Sequence, residues 1–332
     1  MRYGVYNAIL HDRSLPEALE VIASIGLSGI EINSGGFLPP KHIPTFDDIL
    51  VSDTARDEYL GIFAGTGVEI AGLNCNGNPL HPNPVVGDAH AEDVRRSIRL
   101  AERLGQSRVV TMSGLPGGEP GATRPNWAVN AWNSYALDIL DHQWDVAVPF
   151  WTEIDARAAD HGVKVALELH PQNLVFNPST FASWSSSPAP RTSVWSSTLP
   201  PVLAADGPGR RHGRPRRTRL PRRRQGRAHQ PAAALYGVLD NRFRRLDPDE
   251  DRLNLGGDEW ANEWPKESAW DFVALGRGHD VEFWSRWLVE LDKIDPNMWV
   301  NIEHEDTSLG RVEGLTEAAG VLFAAAEMVG LR

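Results

Sequence analysis

Short apolar runs alternate with stretches in which apolar residues return every three or four positions, and this alternation repeats along most of the chain. "YGVYNAI" opens as a strand, and "SLPEALEVIASIG" follows as a helix with Ser14 as N-cap, Pro16 in the first turn and Gly26 at the stop. "GIEINSGG" predicts a second strand and "TARDEYLGIFAGTG" its helix. "VEIAGLNCN" with "AHAEDVRRSIRLAERLG" is a third pair, "SRVVTMSG" with "YALDILDHQWDVAVPFWTEIDARAADHG" a fourth, and "VKVALELH" opens a fifth. After a long gap come "VEFWSRWLVELDKI", "MWVNIEHED" and "VEGLTEAAGVLFAAAEMVG" as helix, strand and helix. Strands that alternate with helices favour a parallel sheet with right-handed crossovers. The gap leaves room for about eight pairs, so the expected fold is a closed (β/α)8 TIM barrel forming one domain over residues 1–332. A doubly wound open sheet is the rival, but no Gly-x-Gly-x-x-Gly turn follows the first strand, which weakens its dinucleotide-binding version.

Both periods stop between Ala182 and Pro231. Serine, proline and arginine dominate there, and ten arginines crowd between Gly209 and Arg227 with no acidic residue among them. Taken at face value, residues 182–231 are a disordered insertion of a size uncommon inside a compact domain, in the place where strands six and seven belong.

Composition narrows the function. The 332 residues carry 33 Lys and Arg against 44 Asp and Glu, a net charge of -11, so nucleic acid is disfavoured as a partner despite the arginine run. No apolar stretch reaches membrane-spanning length, and "MRYGVYNAIL" lacks the features of a signal peptide, so a cytoplasmic protein without a membrane partner is expected. The single cysteine, Cys75, excludes an intrachain disulfide and any multi-cysteine metal site, and reads as a small buried residue. Metal chemistry would have to use carboxylates and histidines.

In a barrel the chemistry sits at the C-terminal ends of the strands. Polar residues falling there are Asn7, Glu31, Asn74, Asn76 and His81, then Glu168 and His170 in "LELHPQN", then Glu303 and Glu305 in "NIEHED", with His304 on the opposite face. Glu168 lies between Leu167 and Leu169, where a carboxylate is costly to bury without a partner or a metal. A structural salt bridge is the bland alternative. Glu303, after Ile302, has a similar claim. Two carboxylates meeting across the barrel mouth would repel unless a divalent cation lay between them; oxygen and imidazole donors suit manganese, magnesium or cobalt, and zinc is also admitted. Glu305 and Asp306 read equally as a solvated strand end. His81 reads first as a loop histidine and His142 as a surface one. "GRGHD" is the turn before a helix, with His279 able to reach the site.

"VALELHP", "NIEHED" and "ALGRGHDVEFW" together resemble the sugar phosphate isomerase/epimerase family of xylose-isomerase-like barrels, over residues 1–181 and 232–332. "NCNGNPLHP", "TMSGLPGGEPGA", "PNWAVNAWN" and "LNLGG" resemble a subgroup related to subunits of enzymes that cleave C-glycosides. The resemblance implies one divalent metal held by Glu, Asp, His and Glu from strands five, six, seven and eight. Glu168 and Glu303 would then be metal ligands and also the catalytic acid/base pair that moves a proton beside a carbonyl through an enediolate. Asn7, Asn74, His81, His170 and His279 would contact a small sugar substrate. A lyase acting on 3-keto-C-glycosides with a small partner subunit is the alternative, and self-association is a further option. A DNA-repair endonuclease on the same barrel would need more His and Asp ligands than this chain places.

The family's strand-six Asp and strand-seven His are missing, and both should fall inside residues 182–231. With suitable synonymous codons, residues 182–198 read out of frame give "LVVEQPGATNVGLELD", residues 199–213 give "SHLFWQQMDPVAAM", and residues 221–231 give "HAAAKDARIN". The expectation is that single-base insertions or deletions near residue 182, near 198–199 and after 231 displaced the two strands. The chain as it stands would then bind metal weakly and have little activity.

Overall fold

A computed structural model describes residues 1–129, 133–186, 194–196, 235–238, 240–243 and 270–332. Its framework is one all-parallel sheet built from β1 (Arg2–Tyr6), β2 (Gly29–Asn33), β3 (Glu69–Asn74), β4 (Arg108–Met112), β5 (Lys164–Glu168), β6 (Val194–Ser196), β7 (Leu235–Val238) and β10 (Trp299–Ile302). The spatial order is β6-β5-β4-β3-β2-β1-β10-β7, so the last of these strands in the sequence lies beside the first, as barrel closure requires. The outer strands β6 and β7 approach one another, which curls the sheet round. β8 (Asp240–Phe243) and β9 (Trp270–Val273) form a separate antiparallel pair.

Helices cover the outside: α1 (Leu15–Ile25), α2 (Phe46–Val51), α3 (Asp53–Gly61), α4 (Pro84–Arg103), α5 (Tyr135–Asp160), α6 (Pro178–Ser186), α7 (Val281–Ile294) and α8 (Arg311–Met328). The strands are buried on both faces, which is why they read as nearly continuous apolar runs. Ile30, Ile32, Leu73, Val109, Leu167, Val300 and Ile302 pack with Leu19, Ile22, Ile98, Leu315 and Leu322 from the helices. Each such side chain stabilises the fold by about 1.5–3 kcal/mol on burial.

The predicted ends of α1 hold. Ser14 and Glu17 form a capping box, with the Ser14 N–H donating to Glu17 Oε2 at 2.8 Å, and Gly26 stops the helix at φ 89°. The reading of residues 182–231 is modified at two points. Val194–Ser196, from inside that segment, fills the sixth sheet position, pairing through Ala166↔Val194 and Glu168↔Ser196. Leu235–Val238, just beyond it, fills the seventh, pairing through Trp299↔Leu235 and Ile302↔Val238. Sheet positions six and seven are therefore occupied despite the anomalous composition of residues 182–231, since backbone hydrogen bonds to a sheet edge do not depend on side-chain identity. The remainder of residues 182–231, with the arginine run, lies outside the described residues. Among the described residues no helix is long and apolar enough to cross a membrane.

Candidate active site

Five acidic or phenolic side chains converge on the C-terminal end of the sheet: Glu31 on β2, Glu168 at the end of β5, Glu303 and Glu305 beyond β10, and Tyr6 at the end of β1. Glu168 is 4% exposed and Glu31 3%, yet among the described residues no Lys or Arg pairs with either. Among the described residues Glu168 is thus not half of a salt bridge. Its Oε2 instead accepts a 2.6 Å hydrogen bond from Asn76 Nδ2.

Crowding of like charges and loss of water shape the protonation of this group. Burial first, then the charges of Glu168, Glu305 and Glu31, push Glu303 well above the usual carboxylate range. Glu305 is raised as well, by desolvation first, with His170 opposing and Glu168 adding to it. Glu31 is pushed up to about 7 by burial, although hydrogen bonds from Asn74 and Asn301 favour its ionised form. Tyr6 is pushed well above an ordinary phenol by burial, then by Glu303, Glu31 and Glu168. Burial and the neighbouring carboxylates thus both bias Glu303 towards its protonated form.

The residues expected to touch substrate divide into two sets. Asn74 and His170 belong to the carboxylate group: Asn74 Nδ2 donates to Glu31 Oε1 at 2.8 Å, and His170 is close enough to Glu305 to oppose the rise in its pKa. His170 Nδ1 lies 2.8 Å from the Pro171 carbonyl, which can only accept, so Nδ1 carries a proton. Gln172, with φ 60°, is a left-handed non-glycine residue in the same loop, a conformation that concentrates at functional sites. Asn7, His81 and His279 do local structural work. Asn7 Oδ1 accepts from the Asn33 N–H at 2.9 Å while its Nδ2 lies 2.9 Å from His42 Nδ1, so both polar atoms are engaged within the protein. His81 Nδ1 accepts from the Asn83 N–H at 2.9 Å in the turn that starts α4. His279 stacks on Phe283 at 4.1 Å and packs the start of α7.

His304 faces away from the carboxylates, as the alternation along its strand predicts, and packs against Gly314 of α8. Asp306 is a buried anchor rather than a solvated strand end. Burial alone would raise its pKa, but hydrogen bonds from Ser308 and from the Ala274 N–H at 2.9 Å hold it lower. Cys75 is buried, its thiol pushed up to about 12 by burial, so it is no nucleophile at neutral pH.

The fit of these residues to a divalent metal is incomplete. Glu168 and Glu303 are the donors expected from strands five and eight, but Val194–Ser196 and Leu235–Val238 carry no carboxylate or imidazole at positions six and seven. Among the described residues, no group of three or more His, Cys, Asp or Glu side chains is arranged to hold a metal ion.

A family profile described as "Xylose isomerase-like TIM barrel" matches residues 19–185. The chain belongs to that family. The uncharacterized protein YfiH of Bacillus subtilis (strain 168) is 28% identical over 319 residues, 92% of this chain and 93% of that protein. Among solved structures, the IolI protein with a bound zinc atom superposes with a TM-score of 0.58 at 15% identity, over 99% of this chain and 98% of that one. A D-tagatose 3-epimerase-like protein superposes with a TM-score of 0.57 at 18% identity, again over 99% and 98%. At these identities the structural likeness speaks for the fold of this family member, and the chemistry has to come from its own residues.

Proposed function

We propose that this barrel is that of a sugar isomerase or epimerase, moving a proton at a carbon beside a carbonyl through an enediolate, with Glu168 and Glu303 as the acid/base pair. The observation that carries the reading is that these two carboxyls, on β5 and just beyond β10, meet at the C-terminal end of the sheet closely enough to feel each other's charge, with no cationic partner among the described residues. Two carboxyls facing one substrate, one taking a proton and the other giving one, is the arrangement that moves a proton from one face of a carbon to the other. Asn76 orients Glu168 through a 2.6 Å hydrogen bond, and His170 lies beside the carboxylates, where it can hydrogen-bond a substrate hydroxyl. The similarity to a D-tagatose 3-epimerase-like protein supports a sugar as the substrate.

A divalent cation, whether manganese, magnesium, cobalt or zinc, belongs to the family resemblance, and the zinc in the IolI structure supports one here. The described residues supply two of its four expected donors, so no step of the reaction is assigned to it.

The test is solvent exchange. The chain as it stands and a version restored in the shifted frames are incubated in D2O with ketoses and 3-keto-glycosides, and proton signals beside the carbonyl are followed by NMR. The restored chain should exchange that proton, and Glu168→Gln and Glu303→Gln should each slow exchange by about 100-fold or more, as expected for losing a general acid or base. Release of an aglycone instead of exchange would assign the lyase reaction. Absence of both from the restored chain across the panel would sink the proposal.

A further inference from the structure

A continuous chain of hydrogen bonds runs round the inside of the sheet and ends on Glu168. Asn301 Nδ2 on β10 donates to Glu31 Oε2 at 2.8 Å, and Asn74 Nδ2 on β3 donates to Glu31 Oε1 at 2.8 Å. Asn74 Oδ1 accepts from the Asn76 N–H at 3.0 Å, and Asn76 Nδ2 donates to Glu168 Oε2 at 2.6 Å. Both oxygens of Glu31 are therefore used, one towards each side of the barrel.

Two features of the backbone serve this chain of contacts. β1 lies between β10 and β2, so Asn301 must pass over β1 to reach Glu31. It does so at Gly4, where any Cβ would collide with Asn301 Oδ1. The β2–β3 ladder also slips register between Ile30 and Glu31: Ile30 pairs with Ile70 but Glu31 with Gly72. An extra residue on one strand re-aims the side chains beside it, and here it sets Glu31 against the strand that carries Asn74.

We propose that Glu31 is a positioning residue: through Asn74 and Asn76 it sets the orientation of Glu168, and through Asn301 it ties that setting to the strand that leads to Glu303. The working importance of this role rests on the reading of Glu168 and Glu303 as the acid/base pair, whereas the mechanical coupling itself does not. Asn74 cannot turn its amide, because its Oδ1 is committed to the Asn76 N–H. Asn301 can, because its Oδ1 has no hydrogen-bond partner in the described structure. A glutamine at position 31 would thus accept from Asn74 as before and donate to a turned Asn301, preserving the chain. A leucine would leave both amides buried without an acceptor, a loss costly enough to move them.

The experiment uses the full chain with its asparagines isotopically labelled, and reads side-chain amide signals alongside backbone signals and thermal unfolding. In Glu31→Leu the Asn76 side-chain amide signals should shift, and Glu31→Gln should keep them near their original positions. Asn74→Ala, which removes only the next link, should shift them too, and it decides the matter if Glu31→Leu fails to fold. Unmoved Asn76 signals in a folded Glu31→Leu or Asn74→Ala chain would overturn the proposal, as would equal displacement by the glutamine and leucine variants. In the solvent-exchange assay on the restored chain, Glu31→Leu should lower kcat by about 10- to 100-fold with little change in KM, the size typical when a contact that orients a working side chain is lost. Coupled amide shifts with no exchange in any variant would leave Glu31's coupling to Glu168 established and count against the acid/base reading alone.

Discussion

A single carboxyl illustrates how burial translates into pH dependence. Glu31 keeps its proton up to about pH 7 in the folded chain but, with an ordinary value of 4.5, releases it earlier when unfolded. The folded state binds more protons between those values, so Glu31's contribution to stability is full below the lower one and is lost as pH rises through the upper one, by on the order of 3 kcal/mol. His11 works in the opposite sense: burial first, then the charges of His42, Lys41 and Arg311, lower it from 6.5 to about 4, so its contribution falls as the medium becomes more acid through that range. The two oppose each other up to about pH 6.5, and above it Glu31 goes on lowering the stability, with the raised Glu303 acting in the same sense. Urea unfolding of the full chain should therefore show stability declining from about pH 6.5 to pH 8, and Glu31→Gln should flatten that decline. A stability that climbs over this interval would contradict the assignment. Glu168 and Glu303 are legible in the sequence because a charge inside or directly after an apolar strand run demands an explanation. Glu31 and Asn76 are legible as polar residues at strand ends, but the links that join them are not, because Glu31's contacts depend on a register slip at Ile30 and on a glycine gap at Gly4 that no hydrophobic period encodes.

The elements themselves separate along the same line between what side-chain pattern specifies and what backbone pairing supplies. α7 occupies the segment "VEFWSRWLVELDKI" that its apolar spacing predicts, and the 26-residue α5 runs as one helix through Pro149 because its buried stripe, including Trp151, Ile154 and Ala158, continues on the far side. α2, with six residues, is too short to display a period, and β6 and β7 are strands by virtue of the edges they meet. α8 offers a contrast between two glycines of one helix. Gly314 lies against the His304 ring, where a Cβ would collide, whereas Gly320 is exposed with nothing near its Cβ position. Gly320→Ala should stabilise the protein by about 0.5–1 kcal/mol through the lower conformational freedom of the unfolded chain. Gly314→Ala should destabilise it by about 1–3 kcal/mol, since overpacking outweighs the same gain. Chemical unfolding of the two variants checks both signs, and a stabilising Gly314→Ala would mean that His304 moves aside freely.

At the scale of the whole molecule, the described strands follow the barrel order, while two of the four metal donors that the resemblance implies have no counterpart among the described residues. The family match ends at residue 185, three residues past the point where the sequence changes character, and the later segments 270–332 resume the expected helix, strand and helix. Positions six and seven of the sheet are held by "VWS" and "LYGV", which pair with β5 and β10 but contain no carboxylate or imidazole. In the shifted frames the sixth position would instead read through "GLELD" and the seventh through "HAAAKD", placing an aspartate and a histidine where the resemblance asks for them. Two carboxylates that repel each other are poor at holding a divalent ion alone, because the cation's remaining coordination must come from water. Restoring the two side chains should therefore raise affinity for manganese by at least about 100-fold over the chain as it stands, given that even an outer partner of a metal ligand is worth about 10- to 100-fold. Calorimetric titration of the two chains with manganese makes the comparison, and Glu303→Gln in the restored chain should remove most of the gain. Equal affinities would mean that the displaced segment already supplies the missing donors, and the intact mass of protein purified from its natural source then tells which of the two chains the cell makes.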